Sequence, residues 1–159
     1  MPTIDETIAF IREAHAGQTD AGGQDYYLHP IAVMHRLPDS VGDEVRLAAL
    51  LHDVIEDTPY TREQLADLGY SERTLIAVDL VTQKPGDTRA YPEKINAIIA
   101  SGNRDAIQVK LADMSENADP ARLLALDPAR RDHFERKYAE PLRALLAALS
   151  RPVATGHRK

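Results

Sequence analysis

The sequence contains no cysteine, which excludes disulfide bonds, thiolate nucleophiles and cysteine-ligated metal sites. Tryptophan is also missing, and aromatic residues make up only 5% of the chain. Leucine, alanine, isoleucine and valine must therefore build most of the core. Because such a mixture favours helices over a β-sandwich, the composition predicts an all-α fold.

Two kinds of segment are also missing. No apolar stretch is long enough to cross a bilayer, and the first residues carry no basic and apolar leader. The net charge is −6 and no run of Lys and Arg precedes the C-terminal tail, whereas a general nucleic-acid binder presents a basic face. We therefore expect a cytoplasmic protein with neither nucleic acid nor membrane as a partner. The oligomeric state stays open.

Length and periodicity indicate one helical domain. The chain has 159 residues, of which 43% are apolar and 28% charged, as in folded domains. We expect a single domain over residues 1–150 and a flexible C-terminal tail over 151–159. Apolar spacing and capping signals predict helices at residues 3–15, 29–37, 43–55, 61–68, 71–82, 91–101, 103–117 and 129–149.

The helix predicted at 43–55 concentrates ionisable groups on one side. At 100° per residue, and if its last turn continues to residue 57, one imidazole and three carboxylates share an arc of about 140°. These groups are His52, Asp53, Glu56 and Asp57. Carboxylates near a helix C-terminus oppose the macrodipole, so a bound divalent cation would compensate them. A solvated acidic helix end with an ordinary histidine is the alternative for this segment alone.

Two distant residues extend the pattern. His29 follows a glycine-containing loop and opens a predicted helix, and Asp113 follows an apolar run. The resulting order of one His, an adjacent His-Asp pair and a later Asp is the ligand order of HD phosphohydrolases.

On these residues the chain resembles the HD hydrolase domain of RelA/SpoT-type alarmone enzymes and their small stand-alone relatives. The matching segments are AHAGQ at 14–18, YYLHP at 26–30, AALLHDVIEDT at 48–58 and VKLAD at 109–113. With Asn117 and the segment 137–142, the resemblance covers about residues 8–146. It implies a helical bundle of the HD type.

The resemblance also implies a metal centre. His29, His52, Asp53 and Asp113 would ligate one divalent ion, which is usually Mn²⁺ in the alarmone hydrolases. Two imidazoles and two carboxylates also suit Fe or Zn. Such an ion lowers the pKa of a bound water and polarises a phosphoryl oxygen.

Three more residues receive roles from the resemblance. Glu56 and Asp57 match the pair that positions or activates the attacking water, and Glu56 lies one turn beyond His52, near the metal without having to be a ligand. Asn117 matches a residue near the nucleotide sugar.

The chain departs from the family pattern at two places. Asp20 and Ala21 stand where the alarmone hydrolases carry an Arg-Lys pair that helps to hold the guanine nucleotide. Met114, Ser115 and Glu116 replace a commonly basic and aromatic stretch. We therefore expect an intact metal centre beside an altered nucleotide pocket.

Five cations are candidates for contact with substrate phosphates. Lys84, Arg89 and Lys94 flank a polar loop at 83–90, which could be a lid or a solvated loop. Lys110 lies nearly one turn before Asp113 and could face the site or snorkel to solvent. Arg122 follows the break at Pro120 and is the fifth candidate.

Three functional hypotheses follow. The favoured one is a metal-dependent phosphohydrolase that removes pyrophosphate from guanosine 3′,5′-bis(diphosphate)-like nucleotides, which makes a phosphorylated small molecule the expected partner. A nucleotidase or phosphatase that acts on another phosphoester is the second. A non-catalytic HD module that binds a nucleotide is the third, although a binder has no need of the pair Glu56 and Asp57.

Overall fold

A computed structural model describes residues 1–151, and residues 152–159, which form most of the predicted tail, lie outside the described part of the chain. The described residues form ten helices. In chain order they are α1 (Ile4–Ala14), α2 (Leu28–His35), α3 (Asp43–Leu51), α4 (Val54–Asp57), α5 (Arg62–Asp67), α6 (Glu72–Val81), α7 (Tyr91–Ala100), α8 (Arg104–Asn117), α9 (Pro120–Leu124) and α10 (Pro128–Ser150).

The predicted all-α fold is confirmed. The β-type pairing within residues 1–151 is limited to an isolated antiparallel bridge between Thr19 and Asp25, which closes the loop before α2. Side chains also cap three of the predicted helices. Thr3 and Thr61 each form a capping box, at the starts of α1 and α5, and Ser71 caps α6 through the Thr74 N–H.

Helix α3 is the central element of the core. It packs against α1, α2, α6 and α8, and residues 47–51 are all fully buried. A helical segment that is apolar on every side, as these five residues are, is stable only when other elements surround it. The C-terminal end of α3 is therefore fixed relative to its neighbours.

The prediction of one continuous helix over 43–55 is wrong. Helix α3 ends at Leu51, and α4 begins at Val54 after a turn at His52 and Asp53. The His52 imidazole causes the local change, since its Nδ1 lies 2.6 Å from the Ala49 carbonyl oxygen. That carbonyl would otherwise accept the N–H of residue 53 in a regular α-helix.

The C-terminal half also contains a helix that the sequence reading did not predict. Asp119 caps α9 by accepting the Ala121 N–H, and Pro120 occupies its first position. Helix α10 then packs against α7 and α8 and contains Pro141 in its interior. None of the helices in residues 1–151 is both long and apolar enough to cross a membrane.

Candidate metal centre

The fold brings the four predicted metal ligands together from three parts of the chain. His29 lies on α2, His52 and Asp53 form the turn between α3 and α4, and Asp113 lies on α8. Because α3 packs against both α2 and α8, its C-terminal end meets the other two elements. All four side chains are buried or half-buried.

Short distances define this cluster. His29 Nε2 lies 2.9 Å from Asp113 Oδ1, and His52 Nε2 lies 3.4 Å from the same oxygen. His52 Nε2 also lies 2.9 Å from Asp53 Oδ2. The ligand atoms of His29, His52 and Asp53 are all within 4.8 Å of one another, which a single cation can span.

The state of the His52 imidazole fits a metal ligand. Its Nδ1 donates to the Ala49 carbonyl, so Nε2 carries the lone pair when the ring is neutral. Nε2 is buried and has no hydrogen-bond partner of suitable geometry within residues 1–151. A backbone acceptor on one ring nitrogen and an unpartnered opposite nitrogen are the usual arrangement of a ligating histidine.

The electrostatics of the cluster also favour a cation. Burial lowers the pKa of His52, but the charges of Asp53 and Asp113 outweigh it, and the pKa is well above its usual value. Burial likewise raises the pKa of Asp113, yet Lys110 and His52 hold it well below its usual value. Positive charge is therefore required between these carboxylates, and a divalent ion would supply it.

Tyr26 orients one of the carboxylates. Its hydroxyl donates a hydrogen bond to Asp53 Oδ2. Burial, followed by the charge of Asp53, raises the pKa of Tyr26, so the hydroxyl stays protonated and remains a donor. This contact fixes which Asp53 oxygen faces His52.

Glu56 and Asp57 lie beside the cluster on α4. The carboxylate atoms of Asp53, Glu56 and Asp57 lie within 4.8 Å of one another. Glu56 Oε1 accepts the Gln83 N–H at 2.7 Å, and the Asp57 carbonyl accepts from Gln18 Nε2 at 2.8 Å. Both side chains are exposed, but desolvation by the surrounding protein raises the pKa of both carboxyl groups, and the charge of Asp53 adds to the effect. They can therefore accept a proton more readily than ordinary surface acids.

A polar cleft of about 430 Å³ opens over these residues. All six predicted substrate-binding residues lie on its wall, namely Lys84, Arg89, Lys94, Lys110, Asn117 and Arg122. Their partners differ, however. Lys110 Nζ lies 3.1 Å from Asp113 Oδ2, and Asn117 Nδ2 lies 3.3 Å from Asp113 Oδ1. Lys84 pairs with Asp79 of α6 at 2.5 Å, and Arg89 pairs with Asp87 of the same loop at 2.7 Å. The charges of these two cations are therefore already balanced by nearby carboxylates.

Four residues of the site received no individual role from the sequence. Tyr26 and Gln83 position carboxylates, and Lys137 and Tyr138 of α10 line the cleft. The sequence contains a signal that could have identified Lys137 as a site residue. The chain has only five lysines, and three of the others were already candidates for substrate contact.

A second cavity of about 610 Å³ adjoins the cleft and shares four lining residues with it, namely His29, Asn117, Arg122 and Tyr138. The two departures from the family pattern meet here. Arg122 lies 3.6 Å from Asp20 Oδ2, 3.5 Å from Glu116 Oε1 and 3.2 Å from His29 Nδ1. The other Asp20 oxygen accepts the Gly22 and Gln24 N–H groups. The charge of Asp20 is thus balanced by an arginine and by loop amides.

Comparison with known proteins agrees with this geometry. No protein-family profile matches the chain. A guanosine-3′,5′-bis(diphosphate) 3′-pyrophosphohydrolase of Haemophilus influenzae is 38% identical over 127 residues, which are 76% of this chain and 19% of that protein. The bifunctional (p)ppGpp synthase/hydrolase SpoT of Escherichia coli K12 is 39% identical over 76% of this chain and 18% of its own length. The chain thus spans about a fifth of the length of these relatives.

The fold of one solved structure matches that of this protein along almost the whole chain. It is described as a metazoan ortholog of SpoT that hydrolyses ppGpp. The TM-score is 0.69 at 25% identity, and the match covers 94% of this chain and 93% of the other.

The helical bundle and the buried cluster of two histidines and two aspartates define a domain of the HD class. Within that class, the chain is similar in sequence to the two bacterial relatives of the RelA/SpoT type, and its fold matches that of the metazoan SpoT ortholog.

Proposed function

We propose that this chain is a metal-dependent phosphohydrolase that removes pyrophosphate from guanosine 3′,5′-bis(diphosphate) or a closely related nucleotide. The observation that carries the proposal is the cluster of His29, His52, Asp53 and Asp113 next to the two carboxylates of α4. The activity for which the Haemophilus relative and the metazoan ortholog are named supports the choice of substrate.

In this proposal the four cluster residues hold one divalent ion, and we infer that it is Mn²⁺. When bound, such an ion supplies Lewis acidity, which polarises a phosphoryl oxygen and makes a water more acidic. Tyr26 keeps Asp53 oriented and the Ala49 carbonyl keeps the His52 Nε2 directed into the site. The absence of cysteine supports our proposal that the protein works in the reducing cytoplasm.

Glu56 and Asp57 take up the proton that the attacking water releases. Glu56 accepts it from the attacking water, and its raised pKa makes a carboxylate a better base near neutral pH. The Gln83 N–H holds one oxygen of Glu56 and leaves the other for the water. Asp57 would assist Glu56, because the carboxylate atoms of the two residues lie within 4.8 Å of each other.

One observation favours a different phosphorylated nucleotide as the substrate. In the second cavity, Asp20 and Glu116 both face Arg122. A nucleotide that binds in this cavity contacts the carboxylates of Asp20 and Glu116. It also contacts Arg122, whose charge these two carboxylates already neutralise. This environment disfavours additional phosphate and suits a group that donates hydrogen bonds.

Release of phosphate and pyrophosphate in the presence of Mn²⁺ tests the proposal. Guanosine 3′,5′-bis(diphosphate) is assayed beside other nucleotides, with Asp53→Ala as the blank and Asp67→Ala, an exposed acid on α5, as the matched control. We expect pyrophosphate from the bis(diphosphate) with the wild type and Asp67→Ala, and none with Asp53→Ala. If only another nucleotide is hydrolysed, the proposed substrate is wrong and the proposed mechanism stands. A metal-binding protein that hydrolyses none of them is a binding module.

A further inference from the structure

Lysine is distributed very unevenly over this protein. The chain has five lysines, and all its other cationic side chains apart from histidine are arginines. Lys84, Lys94, Lys110 and Lys137 are the lysines within residues 1–151, and all four line the cleft of about 430 Å³. The fifth, Lys159, lies outside the described residues. Within residues 1–151, lysine therefore occurs only in the cleft, and the cationic side chains elsewhere on the surface, apart from histidine, are arginines.

The four lysines differ in how their charge is balanced. Lys84 pairs with Asp79, and Lys110 pairs with Asp113. Lys94 and Lys137 have no carboxylate oxygen within 4.0 Å in residues 1–151. Both are half-buried, so water screens their charges less than it would at an open surface.

Aromatic rings hold Lys137 in the cleft. Its Nζ lies 4.7 Å from the centre of the Tyr91 ring and 5.4 Å from that of Tyr138. Lys110 Nζ lies 5.7 Å from the same Tyr91 ring, so one ring contacts both ammonium groups. Burial, followed by the charges of Lys110 and Lys94, lowers the pKa of Lys137. Like charges are therefore crowded together, and the charge of Asp113, which pairs with Lys110, offsets their effect on Lys137 only in part.

This arrangement connects directly to the candidate metal centre. Lys110 contacts Asp113 of the cluster on one side and the Tyr91 ring on the other. Lys137 contacts that ring from α10, and Lys94 lies on α7, the helix that carries Tyr91. A compact ammonium group binds phosphate oxygens as a point charge and does not need the planar geometry of arginine.

We propose that Lys94 and Lys137 form an anion subsite for the distal phosphate of a diphosphate group whose proximal phosphate lies at the His/Asp cluster. The subsite would make the protein selective for diphosphates over monophosphates. The existence of the subsite follows from the lysines themselves, whereas its assignment to the substrate rests on the proposed function.

Binding of inorganic pyrophosphate and inorganic phosphate to the full chain tests the subsite by isothermal titration calorimetry. No metal is added, so a divalent ion cannot hold the anion. The variants are Lys94→Met, Lys137→Met and the double variant, with Arg130→Met as a control that removes a charge from the exposed start of α10. We expect pyrophosphate to bind more tightly than phosphate in the wild type, and each lysine variant to weaken it about tenfold.

The control and a conservative variant decide the interpretation. Arg130→Met should change pyrophosphate affinity less than about twofold, and Lys137→Arg, which keeps the charge, should restore most of the binding lost in Lys137→Met. Equal pyrophosphate affinity in the wild type and the double variant would overturn the inference. So would a wild type that binds no pyrophosphate.

Hydrolysis assays distinguish an anion that is part of the substrate from a free anion in solution. If it is part of the substrate, Lys137→Met raises the KM for a diphosphate ester about tenfold and leaves the KM of a monophosphate ester unchanged. Unchanged KM values for both esters, with weaker pyrophosphate binding, would overturn the assignment to substrate and leave a site for free anions. Pyrophosphate binding that depends on the lysines, in a protein that hydrolyses nothing, would support the subsite and contradict the proposed function.

Discussion

The imidazole of His52 uses its two nitrogens for different purposes. Nδ1 donates to the Ala49 carbonyl, which ends α3, and Nε2 points among carboxylates without a hydrogen-bond partner of its own in residues 1–151. The same side chain therefore shapes the backbone and directs into the site its Nε2, which carries the lone pair when the ring is neutral. Its neighbour Asp53 is held in a similar way, by the hydroxyl of Tyr26.

Replacing Tyr26 with phenylalanine tests this orientation. Tyr26→Phe removes the hydroxyl that donates to Asp53 and leaves the ring in place. We expect the affinity for Mn²⁺ to fall about 10–100-fold, as when hydrogen-bond partners of metal ligands are removed elsewhere. Calorimetric titration measures it, and Tyr60→Phe, at an exposed ring that follows α4 and packs against Phe10, should bind Mn²⁺ like the wild type. An unchanged affinity in Tyr26→Phe would show that Asp53 needs no such support.

Glu56 allows metal binding and proton transfer to be separated. Glu56→Gln keeps the shape and an oxygen for the Gln83 N–H, but it loses the ability to accept a proton. We expect turnover to fall about 10²–10⁴-fold while Mn²⁺ affinity stays near that of the wild type. Steady-state kinetics beside a metal titration gives both values, with the exposed Glu63→Gln as the control. A large loss of metal affinity would instead make Glu56 a ligand.

At the scale of the helices, the break between α3 and α4 is the main difference from the sequence prediction. Apolar spacing correctly predicted a helix up to Leu51. The angular analysis assumed one helix that continues to residue 57, whereas Asp53 approaches His52 on one side and Glu56 and Asp57 on the other across the break between α3 and α4. The break itself arises from a side-chain bond to the backbone, to which hydrophobic periodicity is insensitive. Helix α9 was missed for a related reason, because its five residues are too few for a periodic signal.

The cap of α6 also links two helices. Ser71 Oγ accepts the Thr74 N–H at 3.2 Å and donates to Glu44 Oε2 of α3 at 2.6 Å. Ser71→Ala loses both bonds, and we expect the free energy of unfolding to fall by about 0.5–2 kcal/mol. Urea denaturation with an unchanged m-value measures it, and Ser150→Ala, at the exposed end of α10, should lie within about 0.5 kcal/mol of the wild type. Equal destabilisation of the two variants would mean that the cap contributes nothing specific.

At the scale of the whole molecule, one buried helix sets the positions of the others. Because α3 contacts four helices, its C-terminal end meets α2 and α8 where they carry His29 and Asp113. Composition was sufficient to predict the helical class, and short motifs were sufficient to select these ligands. The wall that α10 contributes, with Lys137, depends on how α10 packs on α7 and α8, and local sequence does not determine such long-range packing.

Truncating the central helix should destabilise the whole molecule. Leu47 is fully buried in α3, and Leu47→Ala leaves a cavity that the surrounding helices fill only in part. We expect the free energy of unfolding to fall by about 2–5 kcal/mol. Urea denaturation followed by circular dichroism measures it, with Leu124→Ala as the control, since that side chain is 67% exposed. A loss below about 1 kcal/mol would show that α3 is not the main packing centre.

The confinement of lysine to the cleft has a practical consequence for anyone who modifies this protein chemically. Reagents that acylate primary amines, including common dyes, cross-linkers and activated resins, find four of the five lysine side chains inside the cleft. Labelling through amines would therefore block the very region under study. The chain also has no thiol, so a cysteine introduced at an exposed position of α5, such as Glu63, gives a single attachment point away from the cleft.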